Sequence, residues 1–206
     1  LEQAVRRVVL EVTTAVREEK VVLVILTDRR IAPELIPIPA AMAVGAVHHA
    51  LVDAQLRCDS NIVIETATAR DPHHFAVLVG LGATGIYPFL AYETVEQLVE
   101  KGVITLTARQ AVLNYRKGIN KGLYKIMSKM GISTVASYRC SNLFEAVGID
   151  KAVMQLCFAD IPSRLGGAGF TDFEQDVQQL AKVAWLKRKP LNHGGLLKYV
   201  HDGEYH

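Results

Sequence analysis

The sequence predicts an α/β domain in which parallel βαβ units form an incomplete, truncated β/α-barrel-like sheet. Three observations support this fold class. Short apolar runs of strand length alternate along the chain with longer helical patterns, as in parallel sheets. Four such strands can be recognised, too few for the eight strands of a closed barrel. The 206 residues, half of them apolar, are enough for one domain with a sizeable core.

The chain opens with a helix and a strand. Valines recur at helical spacing between Val5 and Val16, which predicts an amphipathic helix over residues 2–19. The run "VVLVIL" at 21–26 is apolar throughout, as in a strand covered on both faces. After a loop, Pro39 suits the first position of the next helix.

Two more strands are predicted in the middle of the chain, "NIVIET" at 61–66 and "TGIY" at 84–87. Thr94 and Gln97 have the spacing of a capping box, which predicts the start of a helix. That helix is expected to stop near Gly102, because glycine is common just past a helix end.

The second half repeats the capping signature. Thr107 and Gln110 predict the start of a long helix that ends at Gly131. Thr171 and Glu174 predict the start of the last helix in the same way.

The segment between these two helices is predicted to contain the fourth strand, "ISTVA" at 132–136, and the largest irregular stretch, 162–169. Residues 1–206 are predicted to form a single domain. The chain starts inside a helical pattern without methionine and stops after "LKYVHDGEYH". It is therefore interpreted as a fragment of a longer protein.

Composition argues against several functional classes. The net charge of +2 is too small to suggest nucleic-acid binding. The longest aliphatic run is far shorter than the ~20 residues of a membrane helix. Cys58, Cys140 and Cys157 are dispersed, which predicts free thiols in a reducing compartment such as the cytoplasm. No close cysteine or histidine cluster suggests zinc or an iron–sulfur centre.

A glycine-rich stretch, "GLGATG", places Gly80, Gly82 and Gly85 at the spacing of a dinucleotide-binding fingerprint. Such a fingerprint must follow a strand and open a helix. Here a helix precedes the glycines and a strand follows them, so a helix end with a tight turn is the preferred interpretation.

The stretch "ETATARDPHHF" at 65–75 could be an acid–base centre or a strand-to-helix junction. Asp71 can cap a helix and Pro72 suits its first position, which favours the junction. Adjacent helical residues point about 100° apart, so the histidine pairs 48–49 and 73–74 are not expected to bind one metal each.

Charged residues are predicted to gather where strands end. Arg29 follows the first strand, Arg70 follows the second and Arg139 follows the predicted fourth strand. Because that edge of a parallel sheet carries ligands, the three arginines could bind an anion. Ordinary ion pairs with neighbouring carboxylates are preferred. These carboxylates are Asp28, Glu65 and Asp71.

Four lysines spaced four residues apart share one face of the long predicted helix. They are Lys117, Lys121, Lys125 and Lys129. A solvated face is the preferred interpretation and an acidic partner surface the alternative. Gly118 and Gly122 lie in the same helix and cost about 1 kcal/mol each. A helix break, or close approach of another backbone, is therefore expected there.

Three long stretches carry a family resemblance. They are "RCDSNIVIETATARDPHHFAVLVGLGATGIYPFLAYET", "NYRKGINKGLYKIMSKMGISTVASYRCSNLFEAVGI" and "GGLLKYVHDGEYH". They resemble the central domain of the large subunit of glutamate synthase, and the likeness runs from about Val21 to His206. It is closer to the bacterial NADPH-dependent type than to the ferredoxin type.

The resemblance implies a role for the parent chain. In this family an amidotransferase domain with an N-terminal cysteine releases ammonia from glutamine. The ammonia passes through the interior to 2-oxoglutarate, and a domain with FMN and an iron–sulfur cluster reduces the imine to glutamate. In the bacterial type a small subunit carries FAD and NADPH. The central domain connects the two active domains and carries neither flavin nor cluster.

No catalytic, cofactor-binding or metal-binding residue carries over to this chain. Position 1 is leucine, the cysteines are dispersed, and the tail from about 194 would lead toward the flavin domain. The leading hypothesis is a non-catalytic interdomain scaffold with an apolar interface, inactive alone. The alternative is a free-standing barrel-like enzyme or anion-binding module. The candidate rim or interface residues are Arg29, Glu65, Arg70, Asp71, His73, Arg139, Lys117 and Lys121.

Overall fold

The computed structural model describes residues 1–141 and 143–186. In chain order the elements are α1 (Glu2–Glu18), β1 (Leu23–Thr27), α2 (Ala40–Asp53), β2 (Asn61–Glu65), α3 (Pro72–Gly80), β3 (Gly85–Tyr87), α4 (Phe89–Glu100), α5 (Ala108–Lys129), α6 (Val135–Tyr138), β4 (Ala146–Ile149), α7 (Lys151–Cys157), β5 (Ser163–Ala168) and α8 (Phe170–Ala184). β1, β2 and β3 form one parallel sheet in that order, and β4 pairs with β5 in a second parallel sheet. Neither sheet closes within the described ranges, so the predicted incomplete α/β fold is confirmed.

The core lies between the three-stranded sheet and the helices packed on it. Leu26 of β1 pairs with Ile64 of β2, which pairs with Ile86 of β3. α1 packs on α2, and α2 packs on α7. The most deeply buried core residues are Val5, Val44, Leu51, Ile62, Val153 and Cys157. Burial of these side chains is the main favourable contribution to folding.

The three-stranded sheet is covered on one face only within the described part of the chain. Val24 and Leu26 point into the core, whereas Leu23 and Ile25 remain 49% and 58% exposed. The prediction that the first strand is covered on both faces is therefore wrong. Its sequence is apolar throughout, so the alternation of buried and exposed side chains is visible only in the packing.

Several predicted helix boundaries are confirmed. The Thr107 hydroxyl accepts a hydrogen bond from the Gln110 amide at 3.2 Å and caps α5. Gly131 follows the end of α5 with a φ of 70°, as glycine past a helix end often does. Gly102 has the same φ just after α4. Pro39 directly precedes α2 rather than starting it.

Two predicted helix starts are wrong. α4 begins earlier, after Pro88, and Thr94 lies inside it with its hydroxyl bonded to a carbonyl one turn back at 2.6 Å. α8 begins after Gly169, whose amide donates to the Asp172 carboxylate at 2.8 Å. Thr171 is therefore already helical. A threonine followed three residues later by glutamine or glutamate marks a cap only where the backbone turns.

The fourth strand was predicted in the wrong place. Residues 132–136 are not a strand, and Thr134 instead caps the short helix α6. The segment 162–169, expected to be irregular, contains β5. A Cβ at Gly167 would collide with the backbone of Gly148 in β4. Glycine is thus required for close strand approach here, although glycine usually argues against strands.

The expected break in α5 is also wrong, because the helix is continuous through both glycines. A close approach is found at one of them, made by a side-chain ring and not by the expected backbone. A Cβ on Gly122 would overlap the ring of Pro72, while nothing lies within 4 Å of a Cβ on Gly118. Gly122 therefore lets α3 and α5 approach at their crossing.

Candidate functional site: the polar rim of the sheet

The carboxyl ends of β1 and β2 carry a network centred on Glu65. Thr27 donates a hydrogen bond from its hydroxyl to Glu65 Oε2 at 2.6 Å, and Arg29 Nε donates to Oε1 at 2.9 Å. The Thr27 hydrogen bond, followed by those of the guanidinium, lowers the pKa of Glu65 below its ordinary value. A carboxylate held this way is a weak base, so Glu65 is poorly suited to accept a proton near neutral pH.

Arg29 is paired with carboxylates and lies over an aromatic ring, although its side chain is 46% exposed. Besides Glu65, it contacts Glu93 at 3.4 Å, and its guanidinium carbon lies 4.6 Å from the centre of the Phe89 ring. The bond to Glu65 raises the pKa of Arg29 above its ordinary value. The ion-pair interpretation therefore describes Arg29 better than an anion site. Glu93 and Phe89 were missed from the sequence because both come from α4, far along the chain.

A second carboxylate, Asp28, shapes the turn after β2. Its oxygens accept a bond from the Thr66 hydroxyl at 2.6 Å and one from the Ala67 amide at 2.9 Å. Thr66 is fully buried. Asp28 thus accepts hydrogen bonds from polar groups of the turn, which is a structural task.

The histidine-rich stretch is a strand-to-helix junction, as predicted. Asp71 accepts from the amides of His73 and His74 at 2.9 and 3.1 Å and so caps α3. His74 Nδ1 accepts from the Arg70 amide at 3.3 Å. Tyr115 of α5 donates from its hydroxyl to the Arg70 carbonyl at 2.9 Å. These bonds use the backbone of the stretch and hold α5 against it.

The rim candidates separate into two places. Arg29 and Arg70 lie at the carboxyl edge of the sheet, but Arg139 does not. The Cys140 amide donates to the Gly80 carbonyl at 3.1 Å, at the far end of α3. Arg139 is therefore near the opposite edge, where its charge helps to lower the pKa of His48. The prediction of three arginines on one rim is wrong, because it relied on the misplaced fourth strand.

The remaining candidates are surface residues. Arg70 has no ion pair within residues 1–141 and 143–186, and its side chain is exposed. His73 is exposed as well, at the border of an apolar groove. Lys117 and Lys121 are exposed along α5, like the two lysines that follow. An acidic partner for this helix face stays a prediction.

A second polar cluster, at the amino edge of the sheet, was missed. Arg57 Nε donates to His48 Nδ1 at 3.0 Å, and the other guanidinium nitrogens donate to the carbonyls of Ser60 and Gly82 at 2.7 and 2.9 Å. Burial first, and then the charges of His49 and Arg57, lowers the pKa of His48 to about 4. His48 is therefore neutral at pH 7. No local sequence signal links positions so far apart.

The described residues do not form a site that fits a metal cluster or a nucleotide phosphate. In the part of the chain that the structure describes, no three histidine, cysteine or acidic side chains converge on one point. The glycines at 80–85 follow the carboxyl end of α3, whose exposed carbonyls repel a flavin or nucleotide phosphate. The preferred interpretation of "GLGATG" as a helix end and turn is confirmed.

Apolar surface lies next to the rim. A groove of about 490 Å³ runs between the loop 31–39, the start of α2, α3 and α8. It is lined mainly by apolar side chains, among them Leu35, Val77, Leu180 and Trp185. None of the helices described is long and apolar enough to cross a membrane.

Comparisons with known proteins agree with the resemblance. The family model described as "Glutamate synthase central domain" matches residues 1–150. The chain is 40% identical over 186 residues to the "Glutamate synthase [NADPH] large chain" of Bacillus subtilis and 35% identical over 192 residues to the "Glutamate synthase [NADH]" of Saccharomyces cerevisiae. It is also 40% identical over 180 residues to the "Ferredoxin-dependent glutamate synthase 2" of Synechocystis.

These matches cover most of this chain and little of each relative. They include 89%, 89% and 82% of the chain, in the order given, but only 12%, 9% and 12% of the relatives. The chain therefore spans about an eighth or less of the length of the curated relatives it matches.

Proposed function

The chain belongs to the glutamate synthase central domain family, and on that premise we propose that it is a non-catalytic scaffold within a longer large chain. It links a glutamine amidotransferase domain to an FMN domain in an oxidoreductase that makes glutamate from glutamine and 2-oxoglutarate. In the parent, FMN and an iron–sulfur cluster belong to the flavin domain. A small subunit with FAD and NADPH and a cytoplasmic location are part of the same proposal.

One observation carries the scaffold role: the polar rim is occupied by its own residues. The carboxylates of Glu65 and Asp28 each accept two hydrogen bonds, and Arg29 is paired with Glu65 and Glu93. A catalytic rim would keep an acid or base available to substrate. Here the polar groups stabilise the turns that follow the strands.

The relatives support a role that does not depend on the electron donor. Identity to this chain is 40% for one NADPH type, 35% for one NADH type and 40% for one ferredoxin type. A segment that contacted the donor would be expected to differ between these types. A connecting segment, which contacts the domains common to all of them, would not.

The alternative hypothesis, an enzyme or anion-binding site at the polar rim, is tested with Arg70→Gln in the full-length large chain with its physiological partner. Of the predicted rim arginines at the carboxyl edge, Arg29 is paired and Arg70 has no ion pair in the described ranges, so Arg70 is the one of the two available to an anion. We expect glutamine hydrolysis and glutamate synthesis to change by less than about twofold. A fall of a hundredfold or more in either rate would place the rim in catalysis and contradict the scaffold.

The scaffold itself is tested at the groove. Leu180 is 70% exposed on α8 and lines the groove. If a neighbouring domain packs there, Leu180→Glu should weaken that contact. More than one glutamine should then be hydrolysed for each turnover of glutamine-dependent glutamate synthesis. Val103→Glu is the matched control, because Val103 is 68% exposed and lies in the loop between α4 and α5. Unchanged coupling in both variants would contradict a domain contact at the groove.

A further inference from the structure

The exposed side of α5 carries a local excess of positive charge. The formal net charge of the whole chain is only +2, yet α5 contains no aspartate or glutamate. Its basic residues are Arg109, Arg116, Lys117, Lys121, Lys125 and Lys129. Three of them, Lys117, Lys121 and Lys125, are exposed one helical turn apart, and we name them the lysine face. No ion pair within residues 1–141 and 143–186 involves these three lysines.

The stability of the helix does not explain the lysine face. Like charges four residues apart repel each other slightly. The helix dipole favours cations in the last turn, which accounts for Lys129 but not for Lys117 or Lys121. The opposite side of α5 holds the helix in the fold, because Ile119 and Leu123 pack against the core. The lysine face therefore points away from the described part of the chain.

A hollow of about 460 Å³ adjoins the lysine face at the carboxyl end of α5. Its lining includes Tyr124, Ile132 and Val135. Tyr124 is 66% exposed and lies three residues after Lys121, so these two side chains are neighbours on the helix surface. Val135 is 53% exposed. An exposed tyrosine between cations and apolar side chains is typical of a binding surface, because its ring and its hydroxyl can both make contacts.

We propose that the lysine face and this hollow bind a short acidic segment of a separate protein. Carboxylates of the segment lie opposite the lysine ammonium groups, and one apolar or aromatic side chain enters the hollow against Tyr124 and Val135. The face is about 12 Å long from Lys117 to Lys125, at about 1.5 Å per helical residue. An extended segment of about four residues spans that distance. The inference goes beyond the scaffold role and rests on it only in placing the chain inside a longer one.

The charge of the surface indicates which partner it fits. Lysine is depleted in the cores of stable interfaces, because its ammonium group loses hydration on burial. An exposed lysine cluster suits a reversible contact, in which opposite charges speed association. A nucleic acid fits less well, since exposed Glu93, Glu96 and Glu100 on the adjacent helix α4 would repel phosphates that extend past α5. The partner is therefore a separate acidic protein.

The first test measures whether the lysine face is accessible in the full-length large chain. The chain is treated briefly with an amine-acetylating reagent, and mass spectrometry compares each lysine with the same lysine in the denatured chain. Lys117, Lys121 and Lys125 should react within about tenfold of their rates in the denatured chain. Slower reaction at these lysines would overturn the proposal, because another part of the large chain would then cover the face.

The second test measures the binding of a defined probe to the full-length chain. The probe is a fluorescent peptide of glutamates around one tryptophan, followed by anisotropy at low salt. We expect saturable binding that weakens at least tenfold in the triple variant Lys117→Gln, Lys121→Gln and Lys125→Gln, because the opposing charges are removed. Tyr124→Ala should weaken binding at least threefold. So should replacing the tryptophan of the probe by alanine.

A matched control separates this surface from general attraction between opposite charges. Lys101, Lys151 and Lys182 are exposed outside α5, and replacing all three by glutamine changes the net charge by the same amount. This control variant should bind the probe within about twofold of the unaltered chain. An equal loss of binding in both triple variants would overturn the proposal. Undiminished binding of a probe with glutamines in place of its glutamates would overturn it as well.

The remaining outcomes are decisive too. Absence of saturable binding, or tighter binding of a single-stranded RNA of equal charge, would overturn the proposal. Circular dichroism shows whether each variant is folded. If the triple variant of the lysine face loses helix content, Lys121→Gln alone should still weaken binding at least twofold. The ratio of glutamine hydrolysed to glutamate formed is measured separately. A normal ratio without probe binding would overturn the docking surface and leave the scaffold standing.

Discussion

His48 accepts a hydrogen bond at Nδ1 from Arg57 Nε at 3.0 Å, and this bond ties α2 to the turns before β2 and β3. The imidazole is 8% exposed and cannot keep this bond if Nδ1 is protonated. The pair therefore requires neutral histidine. That requirement gives the fold a dependence on pH.

We expect the free energy of unfolding to fall as the pH drops from about 7 to about 4. Because the pKa of His48 is lowered to about 4 in the folded state, the unfolded chain binds more protons in this window. The pKa difference corresponds to at most about 3 kcal/mol. Denaturant unfolding at several pH values measures the slope. His48→Gln keeps an acceptor for Arg57 and should reduce the slope of the unfolding free energy with pH. An unchanged slope would mean that another group causes the pH dependence.

The two glycines of α5 should respond oppositely to alanine. Gly118→Ala fills open space in a helix and should stabilise the chain by about 1 kcal/mol. Gly122→Ala places a methyl group against the ring of Pro72 and should destabilise it by about 1–3 kcal/mol. Denaturant midpoints of the two variants give the comparison. Equal stabilisation by both would show that α3 and α5 do not approach as described.

The three thiols should differ in reactivity. Cys58 and Cys140 are exposed, whereas Cys157 is buried and its pKa is raised by that burial to about 12. Brief treatment of the folded chain with a thiol reagent should label two cysteines. The third should react only on unfolding. Rapid labelling of Cys157 in the native state, located by peptide mass, would contradict its position in the core.

The purified 206-residue chain should be colourless and catalytically silent. Within residues 1–141 and 143–186, no cluster of histidine, cysteine or acidic side chains fits an iron–sulfur centre, and the glycines at 80–85 follow a helix end rather than opening a helix toward a flavin phosphate. The absorbance spectrum and glutamine hydrolysis against a buffer blank test this. Stoichiometric FMN retained through purification would contradict the scaffold.

The same chain should self-associate through its exposed apolar surface. Ile25 and Leu180 are 58% and 70% exposed at two separate surfaces. Apolar patches of this kind usually mark interfaces. Light scattering should give a mass above 22.6 kDa that falls with dilution. Ile25→Lys should lower it more than the control Val103→Lys. A strictly monomeric chain would contradict this self-association.

The sequence by itself determined the local features of this protein. Capping by Asp71 and Thr107, and the glycine end at Gly131, follow from residues within one helical turn. The three-stranded parallel sheet follows from the alternation of strand and helix patterns. The family followed from long runs of matching residues.

Only the tertiary structure decided which distant residues meet. The approach of Gly122 to Pro72, the bond between His48 and Arg57, and the position of Arg139 all join segments with no shared local pattern. The exposure of one face of β1 was likewise decided by the tertiary structure. Each is set by packing between elements, and packing depends on shape and handedness across the fold rather than on neighbouring residues.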